Sequence, residues 1–277
     1  MISDQRIIYK DNSVISDLSV NLTNYNADTN ALSITAAEDA IYVGSVFPWN
    51  NKYFDITVAN ASAASVIIKT WDGNSFKDTY DLIDETKPSS ATLAQSGLIR
   101  FTPDKDISWV RQYESFTISD LSSTYILNMY WAKITFSADC SFTINYIGQK
   151  FSTDTELFGY YPDLNKTALM TQFAAGKTNW NQQHFIAAEH IIRDLIQRRI
   201  VYTADQVLDP DSFTIAAIHK CAEIIYSAFG KGYEDDKNAA RKAYQDAMDM
   251  NVFKVDRNLD GRLSVGEMVS GTRYMGR

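Results

Sequence analysis

We predict an α+β fold in which an N-terminal antiparallel β-sandwich is followed by a C-terminal helical bundle. Up to about residue 150, short runs of alternating apolar and polar residues are separated by turn residues, which is typical of antiparallel strands. Beyond that point, apolar residues recur every three or four positions, as on one face of a helix. The change of period predicts two domains, 1–150 and 151–277, and a length of 277 residues agrees with two.

The strands are predicted from alternation and from the turns between them. The predicted strands are 40–45, 53–58, 65–71, 75–76, 97–101, 130–136 and 141–147. The turn Asp72-Gly73-Asn74 indicates a hairpin, and the short run 97–101 favours an edge strand. Residues 10–39 are polar, and we expect exposed strands and loops there, without a functional site.

Four aromatic residues of the predicted strands have two possible roles. We expect Trp71, Trp131, Phe136 and Phe142 to fill the sandwich core, because large aromatic side chains dominate core packing. The alternative is an exposed aromatic platform that binds carbohydrate.

Three long helices are predicted, over 179–202, 213–229 and 235–252. Asp211 is a candidate N-cap for the second helix, and Gly230 and Gly232 are its stop signals. The predicted apolar faces are Trp180, His184, Ala187, Ile191 and Leu195; then Phe213, Ala217, Cys221, Ile224 and Ala228; then Ala239, Ala243, Ala247 and Met250.

Residues 256–267 match a calcium-binding loop of the EF-hand type. Calcium is a hard cation that takes six to eight oxygen ligands, and this segment offers oxygens at the spacing of such a loop. Gly261 falls where the loop must turn sharply, which glycine does without steric cost. The predicted ligands are the side chains of Asp256, Asn258, Asp260, Ser264 and Glu267 and the backbone carbonyl of Arg262.

The alternative interpretation of this segment is a polar turn, in which Asp and Asn serve turn chemistry alone. EF-hand loops usually work in pairs, and the sequence contains no second one. We therefore expect a single structural calcium site, which would hold the last helix and the C-terminal segment in place.

Charge and composition exclude several classes of function. The formal net charge of −8 disfavours non-specific binding of nucleic acid. No run of about 18 apolar residues predicts a membrane span, and Met1 to Lys10 lack the apolar core of a signal peptide. Cys140 and Cys221 have no metal-site spacing, and we expect two buried thiols.

No catalytic constellation is evident, and we expect a protein that is not an enzyme. His184 and His190 lie six positions apart, which is not the spacing of a helical metal pair, and His219 is expected on a polar helix face. The acidic run 234–236 is best explained as a helix start, where negative charge suits the helix dipole.

The C-terminal half resembles the head–tail connector proteins of tailed bacteriophages, also called adaptor or head-completion proteins. The resemblance lies in the order of elements rather than in any single motif. That order is Glu156-Leu157, Tyr161-Pro162-Asp163-Leu164, the helix that begins near Trp180, Leu208, the helix Phe213 to Phe229, an Ala/Tyr-rich helix and the Asp-rich loop. The hairpin at Trp71-Asp72-Gly73 and the strand at Tyr130-Trp131 also look like phage structural modules, although the simplest connectors lack a β domain.

The resemblance implies a virion protein at the head–tail junction, made in the host cytoplasm. Such connectors form an oligomeric ring, usually of twelve copies, beneath the portal protein, and their other face receives the next neck or tail protein. Genome DNA passes through the ring, and no membrane is involved. We expect a portal-binding C-terminal arm, residues 268–277, anchored by Tyr274, Met275 and Arg277. A frayed terminus is the alternative.

Two other classes compete with the connector. The first is a calcium-dependent binding module of the receptor-binding, carbohydrate-binding or cohesin-docking type. Docking modules carry two calcium loops, whereas this chain has one, with Glu267 rather than Asp at the last position. The second is a calcium-regulated enzyme. Glycan binding by residues 1–150 would favour the module, and ring formation would favour the connector.

Overall fold

The computed structural model describes residues 4–106, 109–112, 118–121, 128–250, 252–264 and 267–270. The fold is α+β with a β-rich N-terminal part, as predicted. The chain divides into two compact units. The first contains Met1–Gly148 together with Asn258–Arg262, and the second contains Gln149–Arg257 and Leu263–Arg277. The segment Asn258–Arg262, which is the tip of the predicted calcium loop, groups with the β unit.

The first unit is built from two antiparallel sheets. The first sheet has the order β2 (Val14–Asp17), β1 (Gln5–Asp11), β4 (Ala40–Ser45), β11 (Met129–Phe136), β6 (Val66–Trp71) and β7 (Phe76–Asp78), and β10 (Arg111–Gln112) also pairs with β11. The second sheet has the order β3 (Asn30–Ile34), β12 (Cys140–Gly148), β5 (Asn51–Val58), β9 (Gly97–Thr102) and β8 (Tyr80–Asp84). A four-residue helix, α1 (Ser19–Leu22), follows β2.

Alternating side chains from both sheets form the main core of this unit. Phe136 of β11 and Phe142 of β12 meet there, with ring centroids 5.9 Å apart. Trp71 and Trp131 do not join this core, which corrects the prediction. They belong to a second cluster with Ile8, on the opposite face of the first sheet. All four predicted core aromatics are buried, so none of them forms an exposed platform.

Two details of the sheets differ from the prediction. Strand β9 pairs with β5 on one side and β8 on the other, so it is not an edge strand. The polar segment 10–39 contributes strand β3 and part of β1, whose buried residues include Leu32 and Ile34. The hairpin was predicted correctly: β6 and β7 pair antiparallel, with Trp71 opposite Phe76.

The second unit is mainly helical. Its α-helices are α2 (Asp154–Tyr160), α3 (Thr167–Phe173), α4 (Asn181–Gln197), α5 (Thr214–Phe229) and α6 (Glu234–Met250). Short 3-10 turns occur at Pro162–Asn165, Ala204–Gln206, Pro210–Phe213 and Gly230–Tyr233. A two-stranded hairpin follows α6 and consists of β13 (Val252–Lys254) and β14 (Met268–Ser270).

The buried faces of the helices agree with the sequence pattern in part. The whole predicted stripe of α4 is buried. On α6 the predicted stripe is wrong by one position, because Ala240, Tyr244 and Met248 are buried while Ala239 and Met250 are exposed. The four-residue spacing from Ala240 places the bulky Tyr244 in the core. The predicted stripe was based on the alanines and did not take Tyr244 into account.

Two predicted helix boundaries also change. Helix α4 ends at Gln197 rather than at 202, and Arg199 adopts a positive φ of 60°, which an α-helix does not accommodate. Asp211 lies inside a 3-10 turn and does not cap α5, whose N-cap position is Phe213. Within the described residues, the model has no helix with both the length and the apolar character needed to cross a membrane.

Candidate functional site

The first and last residues of the predicted calcium loop, Asp256 and Glu267, lie in the second unit and are both buried. Asp256 is 0% exposed and Glu267 is 3% exposed. Glu267 Oε1 accepts the backbone N–H of Arg257 at 2.9 Å, and Oε2 accepts that of Ser264 at 2.7 Å. One glutamate therefore binds backbone at both ends of the loop.

The start of the loop is fixed further by Gln206. The backbone N–H of Asp256 donates to the carbonyl of Gln206 at 2.7 Å, and Gln206 Nε2 donates to the carbonyl of Asp256 at 2.7 Å. An antiparallel bridge between Val207 and Val255 continues this pairing. The position of the first predicted ligand is therefore set by backbone contacts as well as by burial.

The tip of the loop, Asn258–Arg262, consists of two successive Asx turns. Asn258 Oδ1 accepts the N–H of Asp260 at 3.1 Å, and Asp260 Oδ1 accepts the N–H of Arg262 at 2.8 Å. Leu259 has a φ of 64°, a region that leucine rarely adopts. The predicted ligands Asn258 and Asp260 are exposed.

Gly261 has two reasons to be glycine. Its φ is 73°, in the left-handed region, as expected for the sharp turn. A Cβ added there would also lie 3.1 Å from Pro48 Cβ and 3.2 Å from Pro103 Cγ, with the Trp109 ring at 3.7 Å. The second reason was not visible in the sequence, because it depends on residues about 150 to 210 positions away.

The oxygen donors of the loop are chemically suited to calcium. Each carboxylate oxygen has two lone pairs, so accepting one N–H does not exhaust Glu267 or Asp260. The exposed hydroxyl of Ser264 and the carbonyl of Arg262 are neutral oxygens of the kind calcium accepts. Among the residues that the structure describes, no group of three or more His, Cys, Asp or Glu side chains could hold a metal ion. The calcium site accordingly stays a prediction.

The predicted portal anchors Tyr274, Met275 and Arg277 lie outside the described residues. Of the arm 268–277, the structure describes β14, which pairs with β13 so that Ser270 lies opposite Val252.

Sequence reasoning missed a buried Ser-His-Asp network in the second unit. Ser152 Oγ lies 2.7 Å from His184 Nδ1, and His184 Nε2 lies 3.0 Å from Asp154 Oδ1. Because a carboxylate only accepts, Nε2 carries the proton and Nδ1 accepts from the serine hydroxyl. Both Asp154 oxygens also accept the N–H of Trp180 at 3.1 Å, which joins the starts of α2 and α4.

The network has the order of groups found in serine hydrolases, but it is built into the core. His184 is 0% exposed and Ser152 is buried, so the hydroxyl is not presented to a substrate. Burial lowers the pKa of His184 despite the hydrogen bond to Asp154. Burial opposes ionisation of Asp154 too, but hydrogen bonds from His184 and Trp180 lower the pKa of its carboxyl. The arrangement therefore joins helix starts.

The other two histidines lie in separate surroundings. His219 Nδ1 is 2.8 Å from the hydroxyl of Tyr161, and burial lowers the pKa of His219. His190 is half-buried, and burial together with the nearby cations Lys220 and Arg193 lowers its pKa. The three histidines thus make no common site, in line with their spacing in the sequence.

Comparison with protein-family models, curated proteins and solved structures finds no match to this chain.

Proposed function

We propose that this chain is a structural protein of the neck of a tailed bacteriophage, in which copies of it form a ring that joins the portal to the tail. The observation that carries the proposal is the order of elements in the second unit. Helices α4, α5 and α6 are followed by the hairpin, and the hairpin leads directly into the rest of the arm. The three helices stand in the order in which the sequence resembles connectors, and the hairpin is an addition to it.

Hydrogen bonds and ion pairs join the three helices to one another, as suits a rigid part of an assembly. The Tyr244 hydroxyl of α6 donates to Asp194 of α4. Glu223 of α5 accepts from Arg241 of α6 at 2.8 Å and from Lys220 at 2.9 Å. A rigid helical base is the scaffold from which a short arm can be presented to a neighbour.

The charge of the chain agrees with a role in which DNA passes by without being held. Binding to the phosphate backbone relies on clustered Lys and Arg, whereas this chain carries a net charge of −8. A ring with many copies would multiply that negative charge. The partners in this proposal come from the resemblance to connectors: the portal on one face and the next neck or tail protein on the other.

In this proposal the loop 256–267 binds one calcium ion that stabilises the start of the arm. The proposed ligands are Asp256, Asn258, Asp260, Ser264 and Glu267, with the carbonyl of Arg262. Calcium would supply positive charge to the two buried carboxylates. Glu267 immediately precedes the arm, so an ion held by its carboxylate would restrain the first arm residue, Met268.

The test is binding of the purified chain to purified portal, measured by density-gradient centrifugation. We expect the full chain to co-sediment with the portal as a ring. A chain that ends at Ser270 keeps β14 but loses the proposed anchors, and it should no longer co-sediment. Replacing Tyr274, Met275 and Arg277 by alanine should have the same effect, whereas Tyr160→Ala, an exposed tyrosine of α2, should not.

Equal co-sedimentation of the full and truncated chains would contradict the role of the arm. Failure of the full chain to bind any portal or form any ring would contradict the connector proposal itself. In that case, calcium-dependent binding of a glycan or receptor by the chain would support the binding-module class.

A further inference from the structure

The free edge of the second sheet exposes several large apolar side chains. Strand β8 is the last strand of that sheet and, among the described strands, pairs only with β9. Tyr80 and Ile83 of β8 are each 55% exposed, and Leu82 is 38% exposed. Edge strands usually carry charged residues rather than apolar ones, because an apolar edge promotes association. Adjacent exposed apolar residues with a polar rim are typical of a surface that another chain covers.

A β-bulge brings Tyr80 and Ile83 to the same face of the sheet, and we call these two residues the edge pair. Tyr80 lies opposite Thr102 of β9. Ile83 lies opposite Arg100, so β8 takes three steps where β9 takes two. The extra residue falls where Asp81 has a positive φ of 50°. In a regular strand, side chains three positions apart point to opposite faces, so the bulge is what places the edge pair side by side.

The edge pair points away from the core of the sandwich. Ile99 and Phe101 of β9 belong to the main core, and Arg100, which lies between them, points to the other face. Ile83 shares that face because it is the cross-strand partner of Arg100. Tyr80 lies two β9 positions further along, a distance of about 7 Å. Apolar side chains at every second position of an extended segment have the same spacing.

The surroundings of the edge pair are acidic. The Tyr80 hydroxyl donates to Asp104 at 3.3 Å. The negative charge of Asp104 raises the pKa of this tyrosine, and the charges of Asp106 and Asp78 add to the effect. Asp81 is exposed and, like Asp106, has no ion pair among the residues that the structure describes. Cations would therefore be attracted to the rim of the edge pair.

The charge of this edge indicates which kind of chain would bind there. The segments 78–84 and 104–106 together contain five aspartates and one lysine. A second copy does not suit the edge, because two such edges would repel each other. The other terminal strands of the two sheets, β2, β3 and β7, hold one lysine in total and no arginine. A partner with several lysine or arginine side chains is complementary to the edge.

We propose that β8 binds a basic, extended segment of another protein. Apolar side chains at every second position of that segment pack on the edge pair, and its lysine or arginine side chains lie against Asp81 and Asp106. The binding site belongs to the sandwich alone. This inference therefore goes beyond the connector proposal and does not depend on it.

The test is binding of a fluorescein-labelled peptide of nine alternating lysine and valine residues to the full chain, measured by fluorescence polarisation. We expect Ile83→Ser and Tyr80→Ser each to weaken binding about tenfold, because each removes one apolar contact of the edge pair. The matched control is Ile67→Ser, an exposed isoleucine of β6 in the other sheet, which should leave binding unchanged.

Charge and spacing are tested separately. Asp106→Asn should weaken binding about threefold, whereas Asp28→Asn, an exposed aspartate elsewhere in the sandwich, should not. A peptide with the same residues in two blocks, lysines before valines, lacks the two-residue spacing and should bind about tenfold more weakly. The alternating peptide should also slow hydrogen exchange at residues 80–84 of the wild-type chain, which locates the site without any variant.

Absence of binding by the alternating peptide would overturn the proposal. Equal binding of the block peptide would overturn it as well, and so would an equal loss of affinity in Ile67→Ser, since charge alone would then attract the peptide. Self-association of the free chain that Ile83→Ser abolishes would show that the occupant is a second copy, which also contradicts the proposal. No portal is needed, so a failure here is distinct from a failure of portal binding.

Discussion

The two units use their carboxylates in different ways. In the sandwich, several aspartates bind the backbone of turns close to them in the sequence. Asp39 accepts the N–H of Thr35 at 2.6 Å, and Asp72 accepts that of Ser75 at 2.7 Å. In the helical unit, two carboxylates join one helix to another through side chains, as Asp154 binds His184 and Glu223 binds Arg241.

The difference indicates which interactions fix the folded structure of each unit. The sandwich relies on apolar packing between its sheets and on the other face of the first sheet, and some of its aspartates bind turns within a few residues. The helical unit adds polar pairs that fix one helix against another. Truncating a buried apolar side chain should therefore lower the free energy of unfolding most in the sandwich. Removing one buried polar partner should lower the free energy of unfolding of the helical unit.

The largest effect is expected from Trp131→Ala in the sandwich. Trp131 is fully buried, and its ring lies so close to Gly44 that a Cβ there would meet it at 2.8 Å. The substitution should lower the free energy of unfolding by about 3–5 kcal/mol, measured by urea denaturation. Ile67→Ala, an exposed position of β6, should cost about 1 kcal/mol or less. Similar losses for the two variants would contradict the assignment of Trp131 to a packed core.

Calcium should give the next largest effect. If the loop 256–267 binds calcium in the folded state alone, a hundredfold excess over Kd should raise the free energy of unfolding by about 2.7 kcal/mol. Glu267→Gln should remove most of this gain, and the matched variant Glu234→Gln, at the start of α6, should retain it. Thermal unfolding in calcium and in chelator provides the measurement. An identical melting temperature for the wild-type chain in both would show that the loop is only a turn.

Asp154→Ala tests the polar pairs of the helical unit. The change removes the acceptor for His184 Nε2–H and for the N–H of Trp180. Leaving buried donors without a partner should cost about 2–3 kcal/mol in urea denaturation. Ser152→Ala removes only a donor to His184 and should cost about 1 kcal/mol. The comparison fails if Ser152→Ala is the more damaging of the two.

A smaller effect is expected at the start of α2. Thr153 and Glu156 form a capping box, in which the Thr153 hydroxyl accepts the N–H of Glu156 and the Glu156 carboxylate accepts that of Thr153. Thr153→Ala should cost about 1 kcal/mol, whereas Thr167→Ala, at the uncapped start of α3, should be nearly neutral. Equal melting temperatures for the two variants would show that the capping box adds little.

The pH dependence separates the two units by their titration ranges. Burial lowers the pKa of His184, so its stabilisation is complete above the unfolded value of about 6.5 and declines as pH falls below it. In the sandwich, burial opposes ionisation of Asp120, but hydrogen bonds from Tyr42 and Lys133 lower its pKa to about 2. Its stabilisation is present above about pH 4 and is lost as pH falls toward 2.

Two variants measure these ranges by denaturation at several pH values. His184→Gln should flatten the dependence just below about pH 6.5, and Asp120→Asn should flatten it below about pH 4. If stability falls just as steeply below about pH 6.5 in the His184→Gln chain as in the wild type, the neutral, buried state of that histidine is contradicted.

The features that the sequence predicted correctly are those that depend on the spacing of residues close together in the chain. The alternating run of β11 and the stripe from Trp180 to Leu195 on α4 were both identified correctly. Loop chemistry was equally local, since the turn at Gly261 and the Asx turns at Asn258 and Asp260 follow from residue types a few positions apart.

The features that were missed depend on distant residues. Ser152 and His184 are 32 positions apart, and this separation in the sequence gives no indication that they are in contact. Strand β3 looks polar because one of its faces is exposed, while Leu32 and Ile34 are buried. On α6, the large Tyr244 sets the buried face, one position away from the stripe of alanines.

The most direct test of the connector proposal is immunogold electron microscopy of mildly opened virions of a tailed phage whose genome carries this sequence. The antibody is raised against the purified protein, and its access is checked on the purified ring. The proposal predicts gold confined to the head–tail junction. Gold at the distal tail or fibres would contradict it and favour the binding-module class. Absence of gold from all particles would also contradict the connector proposal.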